Sequence, residues 1–372
     1  MARIETSPAG NRLLWVIPLF LSIGGVVMIA SLTSRSSPET GSLALRQLRF
    51  LGLGVFLALT IYHCFSIRAL RHLACIFWLF ALGITFCTLI PGIGVKVGGA
   101  RRWLNLGFIQ FQPLEILTLA VPLFLADRLA ASKREGFNAF LRPTCLLAAF
   151  SVLPLFFQPN MGGIILVSAI CMSMHVENRG WKWPLFGAVV LAFLFAVMIL
   201  AEPYRMRRLL AFLDPWEDPL DRGFQIIQGL VAFSNGGLLG VGVGKGLQKL
   251  NYLPAAHTDY IFPAIGEEFG LAGTLLIVVL YALWALRIYA LYRRSADPFL
   301  AVLTWGLAAS ILFPMFVNLG GVMKLMPLTG IPLPFVSLGG SSLVLMWIKV
   351  GVLLRVSKEI MSAAPLAGTP ER

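Results

Sequence analysis

Only 17 acidic residues occur among the 372, against 30 Lys and Arg, so any carboxylate in an apolar setting is a candidate for chemistry. Asp259 lies in His257-Thr258-Asp259-Tyr260-Ile261-Phe262, where a polar stretch meets an apolar one. A carboxylate at such a boundary is poorly hydrated, which makes it a better proton acceptor and a candidate general base. The same Thr258-Asp259 pair is also a fitting cap for a helix opened by Pro263. Glu267 and Glu268 follow in Gly266-Glu267-Glu268-Phe269-Gly270. Carboxylates inside a membrane are costly, and they mark either function or an internal partner such as an arginine. Of the four histidines, His257 alone is near these acids.

Several familiar chemistries fail on spacing. The stretch Gly236-Gly237-Leu238-Leu239-Gly240-Val241-Gly242-Val243-Gly244-Lys245-Gly246 looks like a phosphate loop. A phosphate loop needs Gly-x4-Gly-Lys-Ser/Thr, yet position 239 is Leu and Gly246 follows Lys245. The dinucleotide fingerprint fails too, because position 245 is Lys. What remains is flexible backbone that approaches a ligand or re-enters the membrane, with Lys245 and Lys249 as candidate anion contacts, or a plain turn. No HExxH spacing and no Gly-x-Ser-x-Gly elbow is present. The five cysteines (Cys64, Cys75, Cys87, Cys145, Cys171) form no CxxC pair and read as small buried hydrophobes.

The elements that must position these residues are membrane helices. Hydrophobic residues make up 58% of the chain and charged ones 13%, about half the roughly 25% of a soluble domain. The apolar runs are continuous and long enough for helices, whereas a β-barrel would alternate every second residue. The expected fold class is an all-α polytopic membrane protein with about ten spans, near 13–32, 49–66, 73–90, 113–130, 143–158, 161–176, 183–201, 268–291, 299–319 and 337–355. The fifth and sixth are short, and Gln158-Pro159-Asn160 between them reads as a tight hairpin. The first run has no small-residue cleavage site after it and reads as a retained helix. Residues 1–358 form a single transmembrane domain, and residues 359–372 a disordered tail.

Basic residues set the orientation. Arg68, Arg71, Arg128, Lys133, Arg134, Arg142, Arg179, Lys182, Arg293 and Arg294 fall on one side of the spans, which the positive-inside rule makes cytoplasmic, together with both termini. The polar segment 202–260 is then one large extracytoplasmic loop. The net charge of +13 reflects this topology and attraction to anionic membrane lipid, and nothing points to nucleic acid. The segment 91–112, with Lys96, Arg101 and Arg102, breaks the rule on the outer side. An anionic ligand on that face would explain it.

Motifs spread along the chain resemble the SEDS family (shape, elongation, division and sporulation). They are Gly99-Ala100-Arg101-Arg102-Trp103-Leu104-Asn105, Gln112-Pro113-Leu114-Glu115, Gln158-Pro159-Asn160-Met161-Gly162, Asp214-Pro215-Trp216 and Gly223-Phe224-Gln225. Further along come Lys249-Leu250-Asn251-Tyr252-Leu253-Pro254-Ala255-Ala256-His257-Thr258-Asp259, Gly266-Glu267-Glu268-Phe269-Gly270 and Pro332-Leu333-Pro334-Phe335-Val336-Ser337-Leu338-Gly339-Gly340-Ser341-Ser342. The Asp-Pro-Trp stretch is more similar to the division (FtsW-type) branch than to the elongation (RodA-type) branch. The resemblance implies a peptidoglycan glycosyltransferase that polymerises lipid II at the outer face of the bacterial cytoplasmic membrane. It implies Asp259 as the base, single displacement with inversion, a class B penicillin-binding protein as partner, and other divisome membrane proteins nearby. Arg101, Arg102, Lys245, Lys249 and His257 are then candidate contacts to substrate and diphosphate, with a divalent cation (magnesium or manganese) as a conceivable aid and the metal ligands unknown. Glu115, Asn160, Glu267, Glu268, Ser337, Ser341 and Ser342 are candidate polar groups of the cavity.

Departures from the family pattern cluster around this cavity. Leu114 and Thr118 stand where Ser and Lys are usual, Asn160 replaces an acid, Ala255 a Glu, Lys324 a Gly and Leu338 a Tyr. They leave open a flippase of lipid-linked precursor, or a non-catalytic divisome scaffold, as rival functions.

Overall fold

The computed structural model describes residues 8–33, 38–97, 100–105, 107, 110–132, 136–200, 203–247, 253–254 and 256–363. The chain opens with α1 (Pro8–Thr33), α2 (Pro38–Cys64) and α3 (Ile67–Cys87), followed by β1 (Gly94–Val97), β2 (Ala100–Asn105) and β3 (Gln110–Phe111). Next are α4 (Pro113–Ala131), then α5 (Gly136–Ala139), a π-helical stretch Phe140–Cys145 and α6 (Leu146–Phe157), then α7 (Met161–Arg179) and α8 (Lys182–Leu200). The polar segment contains α9 (Pro203–Leu213), a 3-10 turn Pro215–Glu217 and α10 (Phe224–Gly236). Last come α11 (Ile261–Arg294), α12 (Pro298–Val322) and α13 (Gly340–Ala363).

Nine helices among the described residues are long and apolar enough to cross a bilayer. α4 is long enough too, at 19 residues, but carries Glu115 in its first turn and Asp127 and Arg128 near its end. Each expected span coincides with one of these ten. The fifth is not short: α5, the π stretch and α6 run on as one apolar segment of 22 residues, Gly136–Phe157. The wider π turn accommodates Pro143, which lacks an N–H to give. The final helix also continues past residue 358 to Ala363, helped by an i,i+4 pair of Arg355 with Glu359 at 3.1 Å. Residues 364–372 lie outside the described residues.

The sheet was not expected from an all-helical reading. β1 and β2 pair antiparallel with Lys96 opposite Arg101, and β2 pairs with β3 through Asn105 and Gln110. It closes the short connection from α3 to α4, so the basic segment is a hairpin at one end of the bundle.

α11 contains the main irregularity. Gly270 has φ +65° and ψ −163°, which breaks the helix in two. In hydrocarbon every peptide group freed by such a break must find another partner. The glycine-rich segment supplies them: Val241 N–H donates to Glu267 O (3.0 Å) and Gly242 N–H to Glu268 O (3.0 Å). In return, Leu271 N–H donates to Gly237 O (2.9 Å) and Ala272 N–H to Leu238 O (3.1 Å). Gly237, Gly240, Gly242 and Gly244 all have positive φ, and a Cβ on Gly240 would stand 2.2 Å from Glu268 O. Only glycine allows this fit.

α13 is the most enclosed of the long helices and crosses α2 at small residues. A Cβ on Gly351 would meet Ala58 O at 2.6 Å, and one on Gly54 would touch Trp347 Cβ at 3.0 Å. Such contacts let backbones approach closely where lipid offers no hydrophobic drive. Gly351→Val should therefore lower stability by roughly 1–3 kcal/mol through overpacking, read as a lower thermal unfolding midpoint in detergent. Gly52→Val, which has open space around it, should leave the midpoint within experimental error.

Candidate active site

Asp259 is half-buried, directly before the first residue of α11. Its position is fixed through the backbone of its own motif. Asn318 of α12 donates through Nδ2 to Asp259 O (2.8 Å) and to Ile331 O (2.8 Å). Ser337 donates through Oγ to Thr258 O (2.6 Å) and accepts from Leu333 N–H (2.9 Å). Leu338 N–H donates to His257 O (2.9 Å), so the Tyr-to-Leu departure leaves this tie intact. Gln47 of α2 then grips the other side, donating to Ser337 O (3.0 Å) and accepting from Gly339 N–H (3.2 Å). The carboxylate itself accepts one hydrogen bond, from Thr258 Oγ1 to Oδ1 (2.9 Å). Oδ2 faces Gly330, whose absent Cβ would stand 3.9 Å away. No other hydrogen bond or ion pair reaches it among the described residues.

The groups beside the carboxylate are tuned by burial. Burial pushes the His257 imidazole down and Asp259 pulls it up by less, so His257 is a neutral ring and not a cation. Tyr260 is pushed up chiefly by burial, with Asp259 adding to the shift and Arg208 of α9 opposing it. Arg208 is thus a cation near the site that the sequence reading missed. Its signal is the Arg205-Met206-Arg207-Arg208 run near the start of the polar segment 202–260.

A second half of the site lies on the hairpin. Arg102 Nη2 donates to Pro159 O (2.7 Å) in the turn between α6 and α7. That turn is anchored by Gln158, whose Nε2 donates to Thr85 O (3.0 Å) and Thr88 Oγ1 (2.6 Å). Asn160 caps α7, its Oδ1 accepting from Gly163 N–H (3.1 Å), as the usual acid would. Gly162 in turn abuts the segment beside Asp259: its absent Cβ would lie 3.3 Å from Ile331 and 3.6 Å from Thr329 O. Arg102, Asn160, Gly330 and Asp259 therefore line one continuous stretch of this end of the bundle. Arg101 is on the same strand, half-buried, opposite Lys96.

Glu267 and Glu268 are buried, and among the described residues their hydrogen bonds come from the glycine segment, Asn235 and Ser31. Leu247 N–H donates to Glu267 Oε1 (3.1 Å), and Asn235 Nδ2 approaches the same oxygen at 3.4 Å. Gly244 N–H donates to Glu268 Oε2 (3.0 Å), and Ser31 of α1 donates to both Glu268 oxygens at 2.7 Å. Lys245 is exposed on this turn, and among the described residues no hydrogen bond or ion pair ties it to Asp259 or the hairpin. Lys249 and Ala255 lie outside the described residues. Ser341 is buried in the first turn of α13, with Ser342 half-buried beside it. Glu115 is 9% exposed in the first turn of α4. Thr118, standing where the resemblance leads one to expect a lysine, accepts from Nζ of Lys349 on α13 at 2.9 Å. Lys324 takes the left-handed conformation (φ +57°) just past α12, so the glycine usual there serves the backbone.

No group of three His, Cys, Asp or Glu side chains is placed to hold a metal among the described residues. A cavity of about 460 Å³ lies at the opposite ends of α3 and α4, lined by Arg68, Arg71, His72, Cys75, Asp127 and Arg128. Asp127 there binds Arg71 (2.7 Å) and Arg128 (3.3 Å), and the cavity is remote from Asp259.

Comparison with known proteins agrees with this architecture. A family model described as "Cell cycle protein", covering FtsW, RodA and SpoVE, matches residues 11–361. A relative from Nitrosomonas europaea, named a probable peptidoglycan glycosyltransferase FtsW, is 39% identical over 80% of this chain and 78% of its own. A solved chain from work on the coordination of polymerization and crosslinking by a peptidoglycan synthase complex superposes with a TM-score of 0.78 at 29% identity. It covers 96% of this chain and 99% of its own. The rod shape determining protein RodA of Thermus thermophilus gives 0.70 at 27% identity, covering 93% and 96%. With nearly its whole length matched, the chain belongs to the FtsW, RodA and SpoVE family of cell cycle proteins.

Proposed function

We propose that this chain is a peptidoglycan glycosyltransferase of cell division, polymerising lipid II at the outer face of the bacterial cytoplasmic membrane beside a class B penicillin-binding protein. The observation that carries the reading is the state of Asp259: backbone held by Asn318, Oδ1 satisfied by Thr258, Oδ2 left for a ligand. Membership of the family supports the activity, and the likeness to a chain of a peptidoglycan synthase complex supports the partner.

In this reading the 4-hydroxyl of the acceptor sugar gives its proton to Asp259 Oδ2. Its oxygen forms a bond to the anomeric carbon of the growing chain, and the bond to polyprenyl diphosphate breaks. One base with one leaving group fits single displacement and inversion, since no second carboxylate is needed as nucleophile. Glu267 and Glu268 are already engaged with backbone N–H groups and serve as supports. The departing diphosphate needs positive charge that is in place before it forms. Arg102, braced on Pro159, and Arg101 beside it are the nearest expected cations on the same stretch, while Arg208 approaches from α9. Lys245, exposed on the glycine segment, is assigned no direct contact with the reacting atoms, and Lys249 keeps its place as a candidate contact to the diphosphate. His257, neutral, suits a hydrogen bond to a sugar or amide.

Asp259→Asn keeps shape and removes the base. With purified full-length chain, its class B partner and labelled lipid II, glycan strand formation should fall by at least about 100-fold. The thermal unfolding midpoint should not move; polymer formation at the wild-type rate would refute the assignment. Glu268→Gln should behave differently. Weakened bonds to Gly244 N–H and Ser31 should cost roughly 1.5–3 kcal/mol of stability, so unfolding temperature and activity fall together. A Glu268 variant that loses activity at unchanged stability would instead place that carboxylate in the chemistry.

A further inference from the structure

Lys349 is fully buried in the middle of α13, at 0% exposure. An ammonium group so placed is costly unless fixed partners surround it. Its Nζ donates to Thr118 Oγ1 on α4 (2.9 Å) and to Ser310 O on α12 (3.3 Å), with Met346 Sδ at 4.0 Å. Thr118 Oγ1 passes the connection on by donating to Glu115 O (2.8 Å). Glu115 is also the carboxylate whose field acts on the ammonium. No hydrogen bond or ion pair reaches the Glu115 carboxylate among the described residues.

The three helices joined this way carry the two halves of the site. α12 holds Asp259 through Asn318, eight residues beyond Ser310. α4 follows directly from the hairpin of Arg101 and Arg102, and its Leu114 packs where a Cβ on Gly163, beside the Asn160 cap, would stand 3.0 Å away. We infer that Lys349 is a positioning residue: its ammonium staples α4 to α12 and α13 and so sets the spacing between the Arg102 half and the Asp259 half. The cation is lent by α13 because Thr118 on α4 is uncharged. Nζ contacts Thr118 directly, so a lysine at position 118 could put its own ammonium into the same polar pocket.

This role rests on the glycosyltransferase reading, and the test separates the two. Lys349→Met is unbranched and one atom shorter than lysine, and it removes the charge. Assayed with the class B partner and labelled lipid II, well below its unfolding temperature, it should show kcat reduced at least tenfold per folded molecule. Adding Thr118→Lys to Lys349→Met should restore kcat to within about threefold of wild type and raise the unfolding midpoint back toward it. Wild-type kcat in folded Lys349→Met would overturn the inference, because a merely structural lysine would change the midpoint alone. A double variant no better than Lys349→Met in both kcat and midpoint would overturn it too. If the wild-type chain makes no polymer, the glycosyltransferase reading fails. The staple is then judged on the midpoints, where no loss on Lys349→Met, or no recovery on adding Thr118→Lys, refutes it.

Discussion

A peptide group exposed to hydrocarbon costs several kcal/mol, and the break of α11 at Gly270 exposes a set of them at one point. The glycine segment answers with its own backbone, strand-like in its exchange of hydrogen bonds yet lodged in a helix break. Two consequences follow. The first turns of α11 are freed from the axis of the long helix, so Asp259 can sit at their start at an angle set by α10 and α12. The carboxylates of Glu267 and Glu268 accept from further N–H groups of the same segment, those of Leu247 and Gly244, and become fixtures of the fold. The two adjacent acids that look most catalytic in sequence are therefore the least available to a substrate.

The same economy governs the site. Its parts come from α2, the hairpin, the turn before α7, the end of α12 and the segment before α13. What joins them is a side-chain amide, hydroxyl or guanidinium on a neighbouring backbone carbonyl: Asn318, Ser337, Gln47 and Arg102 each do this. Tyr281 and Trp284 of α11 extend the scheme, donating to Pro334 O and Leu14 O. Backbone carbonyls do not change with sequence, so such ties tolerate substitutions around them. That is why Leu338 can stand where an aromatic is usual: its N–H, not its side chain, holds His257. Asn160 likewise keeps the cap an acid would make, though its Nδ2 is buried without a hydrogen-bond partner among the described residues.

What was legible in the residues was whatever a single segment decides. Continuous apolar runs revealed each long helix, and the junction at Asp259 revealed its exposure to both polar and apolar surroundings. What was not legible depended on pairing between distant segments. The strands Gly94–Val97 and Ala100–Asn105 are too short to announce themselves, and their lysine and arginines were more visible as a breach of charge topology. Gly270 in a run of helix formers carries no sign that residues 237–242 will fill a break there. In the sequence Lys349 is one charge in an apolar helix, and its meaning lies in Thr118, 231 positions away. The glycine segment was half legible: its freedom of backbone was plain, and its destination was not.

The departures at positions 114, 118 and 160 bear on whether the chain retains its chemistry, and the packing bears on the answer. Leu114 abuts Gly163 at the start of α7, so the hydroxyl lost there is replaced by apolar contact between the same two helices. At position 118 the charge lost from α4 is matched by one supplied from α13, within hydrogen-bond distance of the substituted residue. At position 160 the cap persists. Three changes that look like erosion when read one residue at a time are each met locally by a group that keeps the geometry. Meanwhile Asp259, Thr258 and Asn318 keep the arrangement that leaves one carboxylate oxygen without a donor among the described residues. A half-exposed carboxylate oxygen placed this way at the membrane boundary is accessible to the hydroxyl of an incoming sugar, which is what the proposed reaction asks of it.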